Sequence, residues 1–395
     1  MVKPDIFIDN HVSNGADYQY TLTHLFTQHN KLGLDLGAYL QNELMPKLEQ
    51  NLKENKWDIT PYVNVYNTVP EKGFTQFMDY PRYSSGYTAL WNTVGMMVET
   101  HMLKPYKSRV QGTYEIMKQM IAIAEVDGKL IKELRAKSNI ETQELVNYPL
   151  QWEIDTTKST IINFKGFEAD TLISEVTGFP RLKYDQSRPF TKEVVYQNYY
   201  KPSVEVKIPN AYIVKKSNYN VIDLLTINQI SYTRIKKDTV LEVESYRIEE
   251  YETNNNSYEG HYPHYNTKVS VSTKKVQFNQ GDVFIPTKQL GIRYIMETLE
   301  PTATDSFFNW NFFDGILQQK EGFSPYVFED IASELLKNNK LLNEAFQLKK
   351  SSDESFANDW YAQLSYIYHH SEYYEAAHMQ YPVYRVLSNF ETMPD

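Results

Sequence analysis

The chain has 395 residues and not one cysteine. Disulfide staples, thiolate metal sites and a cysteine nucleophile are therefore excluded. No apolar run approaches the length that crosses a bilayer, and Met1-Val-Lys-Pro-Asp5 lacks the hydrophobic stretch of a secretory signal. No membrane span is expected. Neither a glycine-rich phosphate loop nor a Gly-x-Ser-x-Gly elbow occurs, which removes support for nucleotide hydrolysis and serine hydrolysis. A net charge of -10 argues against a phosphate-backbone binder, so nucleic acid is not expected as a partner. What the chain does have is 41% hydrophobic residues and length for roughly two or three domains. Its 32 tyrosines favour wet, hydrogen-bonding surfaces of the kind that bind peptides or sugars.

The patterning predicts three regions. Residues 1–140 read as α/β. Ile6-Phe7-Ile8 is a continuous apolar run, which suits a strand covered on both faces of a parallel sheet, with His11 just past its carboxyl end. Leucines at 36, 40, 44, 48 and 52 predict an amphipathic helix from Asp35 to Lys56, kinked at Pro46. Pro61–Tyr66 and Gly95–Glu99 are expected to join the first strand's sheet. Val110, Tyr114, Met117, Ile121 and Ala124 trace one face of a long helix that would cover it. Residues 150–300 alternate in short Val-, Ile-, Thr- and Tyr-rich segments and predict a β-rich domain with one strand-helix-strand insertion over 211–235. Within it, Asn279-Gln-Gly-Asp282 is expected to turn a hairpin between the strand ending at Phe278 and Val283-Phe-Ile285. Residues 301–395 predict a helical tail, joined to the β-rich part by the aromatic cluster Phe307–Phe313.

Two strand ends carry the candidate chemistry. If the strands ending near His11 and Glu99 share one parallel sheet, an imidazole and a carboxylate reach one crevice, as metal-assisted hydrolysis requires. The alternative is that His11 caps a strand and Glu99 pairs with Lys104 or Arg109. His101, two residues beyond Glu99, points to the same side of an extended chain and could tune that acid; a plain packing role is its rival. His29 follows the first strands closely enough to hydrogen-bond near the site, or is a surface residue like His24. His261 and His264 fall in a loop of Asn, Tyr, Gly and Pro and are expected to be solvated. His369-His-Ser-Glu372 has metal-ligand spacing, but it lies in the tail, far from any sheet strand.

Four strings and a tail motif resemble a bacterial branch of the M14 zinc carboxypeptidases. They are Phe7–Tyr20, Thr27–Leu32, Pro81–Tyr87, Met97–Pro105 and Trp310–Lys320. The resemblance implies a partial mixed-sheet α/β carboxypeptidase domain, then the β-rich domain and the helical tail. It implies that His11 is a zinc ligand and that Glu99 is the general base and acid of peptide hydrolysis. A substrate-binding tyrosine would be Tyr83 or Tyr87, and Arg82 could attract a substrate carboxylate or be a solvated loop charge. The implied cofactor is zinc, and the implied substrate is a peptide with a free C-terminus. Export to the periplasm or outside is implied as well. The family's His-x-x-Glu zinc pair and Asn-Arg substrate clamp have no counterpart before His11. The expectation is therefore a chain that lacks the first half of the catalytic domain and two of three zinc ligands, inactive unless that half is supplied. The alternative is a non-catalytic peptide- or glycan-binding protein.

Overall fold

The computed structural model describes residues 3–388, so the outer limits of the regions 1–140 and 301–395 lie outside the described residues. The first region opens with β1 (Ile6–Ser13) and β2 (Leu22–Phe26). The helices α1 (Leu34–Tyr39) and α2 (Met45–Glu54) follow, joined by a π-helical turn, Leu40–Leu44. Pro46 lies in the first turn of the second helix, directly after the π turn, whose wider winding accommodates a residue that cannot donate and takes the place of the expected kink. Then come β3 (Ile59–Pro61), β4 (Phe74–Thr75), α3 (Ser84–Ala89), β5 (Val94–His101) and the 38-residue α4 (Tyr106–Gln143).

The first sheet has the order β1-β5-β2-β3. β1 is parallel to β5, whereas β2 runs antiparallel to β5. This corrects the expectation for β1 in two respects. It is an edge strand, half-buried rather than covered on both faces, and His11 lies within it rather than beyond it. No strand pairs with its outer edge among the described residues. One sheet face carries Ile6, Ile8, Leu22, Phe26, Val94, Met96 and Val98 against the leucines of α1 and α2 and against Ile116, Met120, Ile123 and Ile131 of α4. The face expected of α4 is thus the wrong one: Val110, Tyr114 and Ile121 are exposed. Periodicity alone could not separate two apolar stripes on one helix. Gly112 decides between them, because it lets α4 approach so close that a Cβ there would stand 2.6 Å from Leu22.

The second region holds β6 (Asn147–Ile154), β7 (Thr160–Ile173), β8 (Pro180–Gln197), β9 (Tyr200–Lys207), β10 (Ala211–Val214), α5 (Tyr219–Ile227) and β11 (Thr233–Arg234). It continues through β12 (Thr239–Thr253), β13 (His264–Phe278), β14 (Val283–Pro286) and α6 (Ile292–Leu299). A six-stranded sheet has the order β11-β14-β10-β15-β12-β13, where β15 is Gln380–Val386. Two expectations fail here. β13 pairs with β12, not with β14, which instead joins β10 and β11. The tail is also not wholly helical: after α7 (Pro325–Asn338), α8 (Lys340–Ser352), α9 (Glu354–Ala357) and α10 (Trp360–His369), it supplies β15 to the centre of this sheet.

The β7–β8 hairpin packs back on the first region, where Phe164, Val194 and Tyr196 meet Tyr18, Tyr20 and Phe74. The aromatic cluster is a packing element, with Phe307, Phe308 and Phe313 buried in the largest core beside Trp91, Tyr212 and Tyr381. It does not join the tail helices to the β-rich part as expected, because α7–α10 bury a separate core around Phe328, Phe346, Phe356 and Tyr368. The result is a mixed α/β molecule with several small sheets and, among the described residues, no closed barrel. No described helix is long and apolar enough to cross a membrane.

Candidate functional site

Alternation along paired strands builds the site. In the β1–β5 ladder His11 stands directly opposite Glu99, Asp9 opposite Met97 and Ser13 opposite His101. Partners in register on parallel strands project from the same sheet face. Since Ile8, Met96 and Val98 take the face covered by helices, Asp9, His11, Glu99 and His101 take the other. The structure therefore brings His11 and Glu99 together.

His11 is exposed, and its Nε2 lies 2.9 Å from Asp9 Oδ2. Ser84, at the first turn of α3, donates to that same oxygen at 2.6 Å. Burial works against the ionised form of Asp9, but the hydrogen bonds from Ser84 and His11 outweigh it and hold its pKa below the usual carboxylate value. With Nε2–H given to Asp9, the imidazole keeps its lone pair on Nδ1, the nitrogen a cation or a proton would take. Glu99 is in the opposite state. It is 9% exposed, and its Oε2 finds no hydrogen-bond partner among the described residues. Burial raises its pKa, and the nearby Asp9 charge reinforces the rise while that of His11 opposes it. A desolvated carboxylate beside an imidazole is chemically suited to taking and returning a proton.

Tyrosines wall this space. Tyr18 shares a 3.1 Å hydrogen bond with Ser13, and burial pushes its phenol up to about 12. Tyr62 and Tyr66 join through their hydroxyls at 3.0 Å, and Tyr66 donates to Asn14 at 3.0 Å. Asp9, Ser84, Tyr18 and Tyr62 were not foreseen as site residues. Asp9 was legible, since it lies two positions before His11 and so shares its face. Ser84 and Tyr62 arrive through non-local packing that leaves no local signature, while Tyr18 folds back on Ser13 from only five residues away.

The other candidates are placed elsewhere. His101 is buried with its Nε2 3.0 Å from Asp17, while the Leu103 N–H points at Nδ1. It ties the strand end to the following loop. His29 lies at the other end of the sheet, because β2 runs antiparallel and carries the chain away from Glu99. Its ring meets Tyr199 edge-on at 5.1 Å, and burial, helped by the Lys158 charge, lowers its pKa to about 4. Arg82 is no solvated loop charge. Its side chain grips Asp305 at 2.6 and 2.8 Å, and its own backbone N–H donates to the same carboxylate at 2.9 Å. Tyr87 donates to Asn228 at 2.5 Å and packs on the largest core, while Tyr83 packs edge-on against Phe77 at 4.9 Å. His264 is buried between Thr253 and Asp314 rather than solvated. His369 ends α10 against Tyr374.

The fit of zinc can be tested on these residues. Among the described residues, no three His, Cys, Asp or Glu side chains gather as a metal-holding group. A catalytic zinc takes three protein ligands. His11 with its neighbours does not complete that set, so the residues present do not fit the metal on their own. Compared with protein-family models, curated proteins and solved structures, the chain finds no match.

Proposed function

We propose that this chain carries the proton-transfer side of a peptide-hydrolysing site of the zinc carboxypeptidase type, with Glu99 as general base and acid. In this proposal His11 is one imidazole ligand, and the remaining ligands come from outside the described residues, so the chain alone is inactive. The observation that supports it is the in-register pairing of His11 and Glu99 on adjacent parallel strands, one exposed and one desolvated. Glu99 would take a proton from the attacking water as its oxygen bonds to the scissile carbonyl carbon. It would return that proton to the amine as the carbon–nitrogen bond breaks. Asp9 would hold the His11 ring through Nε2, with Ser84 holding Asp9. The outer edge of β1, which pairs with no strand among the described residues, would give a completing segment a backbone to pair with.

Zinc titration of the purified chain against a chromophoric chelator tests this. The expected result is weak binding that disappears in His11→Ala, with no peptide hydrolysis. In an enzyme completed by a segment that restores the metal, Glu99→Gln should abolish turnover and keep the zinc. Tight one-to-one zinc binding by the chain alone, or loss of the metal in Glu99→Gln, would sink the assignment.

A further inference from the structure

The β12–β13 ladder breaks at one place, and a cavity opens there. The register runs from Ile248 opposite Val269 to Glu250 opposite Lys268 and then to Glu252 opposite Tyr265. Glu249, Tyr251, Asn266 and Thr267 fall outside the pairing, and Asn266 adopts a left-handed φ of 52°. Bulges of this kind re-aim side chains and release backbone groups from the ladder. Between the bulge and Gln151, Val204 and Thr302 lies a cleft of about 650 Å³. A second cleft of about 240 Å³ shares Gln151, Asn266 and Thr267 with it and is also lined by Tyr265 and Arg82. The two clefts share a wall and flank one groove at the bulge, and the larger by itself falls in the range of small-molecule sites, on the order of 300–1,000 Å³.

The walls have an unusual chemistry for a ligand cleft. Such clefts are ordinarily lined mostly by apolar side chains. In the larger cleft Val204 is the one aliphatic residue among the described residues. The remainder are carboxylates, amides, hydroxyls, a tyrosine and the ammonium of Lys268, which is paired with a carboxylate, and most are ordered by one another. Asn266 donates to Glu252 at 2.7 Å, Lys268 pairs with Glu250 at 2.5 Å, Gln151 donates to the Thr302 carbonyl at 2.8 Å, and Thr267 donates to Asn309 at 2.7 Å. Fixed donors and acceptors beside the amphipathic rings of Tyr251 and Tyr265 match a ligand that presents several hydroxyls per unit, each both a donor and an acceptor. They offer no apolar pocket for the side chains of a peptide.

We infer that this groove is a binding site for a neutral oligosaccharide, held by the bulge residues Glu252, Asn266 and Thr267 with Tyr265 and Gln151. The site is independent of the proton chemistry proposed for Glu99. One lining residue of the second cleft is nevertheless close to it along the chain, since Arg82 is two residues from the Ser84 that holds Asp9.

The experiment is calorimetric titration of the full chain with chitohexaose, cellohexaose and, separately, hexaglycine. At least one saccharide should saturate, and the double variant Glu252→Gln with Tyr265→Ala should weaken it by about tenfold or more. Both residues are exposed, so the thermal midpoint should stay unchanged in that variant. Glu99→Gln should bind as the natural chain does, which separates this site from the hydrolytic proposal. The inference is overturned if neither saccharide saturates, if the double variant binds equally well, or if hexaglycine is the probe that binds.

Discussion

At the scale of single residues, the contrast between Asp9 and Glu99 shows what a strand face can do to two carboxylates. Asp9 accepts hydrogen bonds from Ser84 and His11 and is held ionised, whereas Glu99 is buried, with one oxygen finding no hydrogen-bond partner among the described residues. Because its folded-state pKa is raised, Glu99 adds stability below the ordinary carboxylate range, and that contribution is lost as pH rises through the raised value. Glu99→Gln should therefore stabilise the protein near neutral pH by about 1 kcal/mol and leave acid stability unchanged; denaturant melts between acidic and neutral pH check this. His29 has the opposite sign. Its pKa is depressed to about 4, so its contribution is present above the usual histidine value of 6.5 and is lost as pH falls toward 4. In His29→Gln the melting temperature should lose that acid-side dependence.

At the scale of elements, α3 is the piece whose position matters most. It has six residues and no side-chain N-cap, so packing rather than propensity holds it. Ser84 ties it to β1 through Asp9, and beside it in sequence Arg82 ties the chain to Asp305. Gly86 lets it lie flush on the chain behind, since a Cβ there would stand 2.0 Å from the Tyr80 carbonyl oxygen and 2.4 Å from that of Asp79. Gly86→Ala should cost about 2 kcal/mol in a denaturant melt. It should also shift the His11 ring resonances, because Ser84 would move with the helix. A melt unchanged from that of the natural chain would show that the contact relaxes freely. In this region the predicted helix over residues 35–56 and the strands at β1 and β5 were legible. The helix α3 was not, because a two-turn helix held by tertiary contacts leaves no periodic signal.

At the scale of the whole molecule, the regions are joined by buried charge as well as by the shared apolar core. Arg385, on the late strand β15, reaches Glu244 at 2.5 Å and Glu300 at 3.1 Å. Glu297 on α6 accepts from Tyr148 of β6 at 3.0 Å. Burial pushes the Glu297 carboxyl up to about 7; Asp305 adds to the rise, while Lys31, Tyr148 and Arg293 oppose it. Lys31 comes from the first region and Asp305 from the segment after α6, so this acid titrates at the junction. Its raised pKa adds stability that is complete below the ordinary carboxylate value of 4.5 and is lost as pH climbs through about 7. Thermal unfolding of Glu297→Gln should show a flatter profile than the natural chain between pH 5 and 8. Equal slopes in the two proteins would mean that the joint does not titrate there.

The amino-acid sequence by itself determined the chemistry available and most of the local structure. Continuous apolar runs marked the strands that lead to His11 and Glu99, leucine spacing made the helix at 34–54, and the lack of cysteine left imidazole, carboxylate and hydroxyl groups to build sites. Only the tertiary structure decided which strands meet. Backbone hydrogen bonds are chemically alike in every strand, so β13 carries no local mark that its partner is β12 rather than β14, and β15 none that it belongs in the middle of a sheet begun some 170 residues earlier. The same holds for the exposed stripe of α4 and for the groove at the β12–β13 bulge. Both arise where distant segments compete to bury surface, and burial is a property of the folded whole.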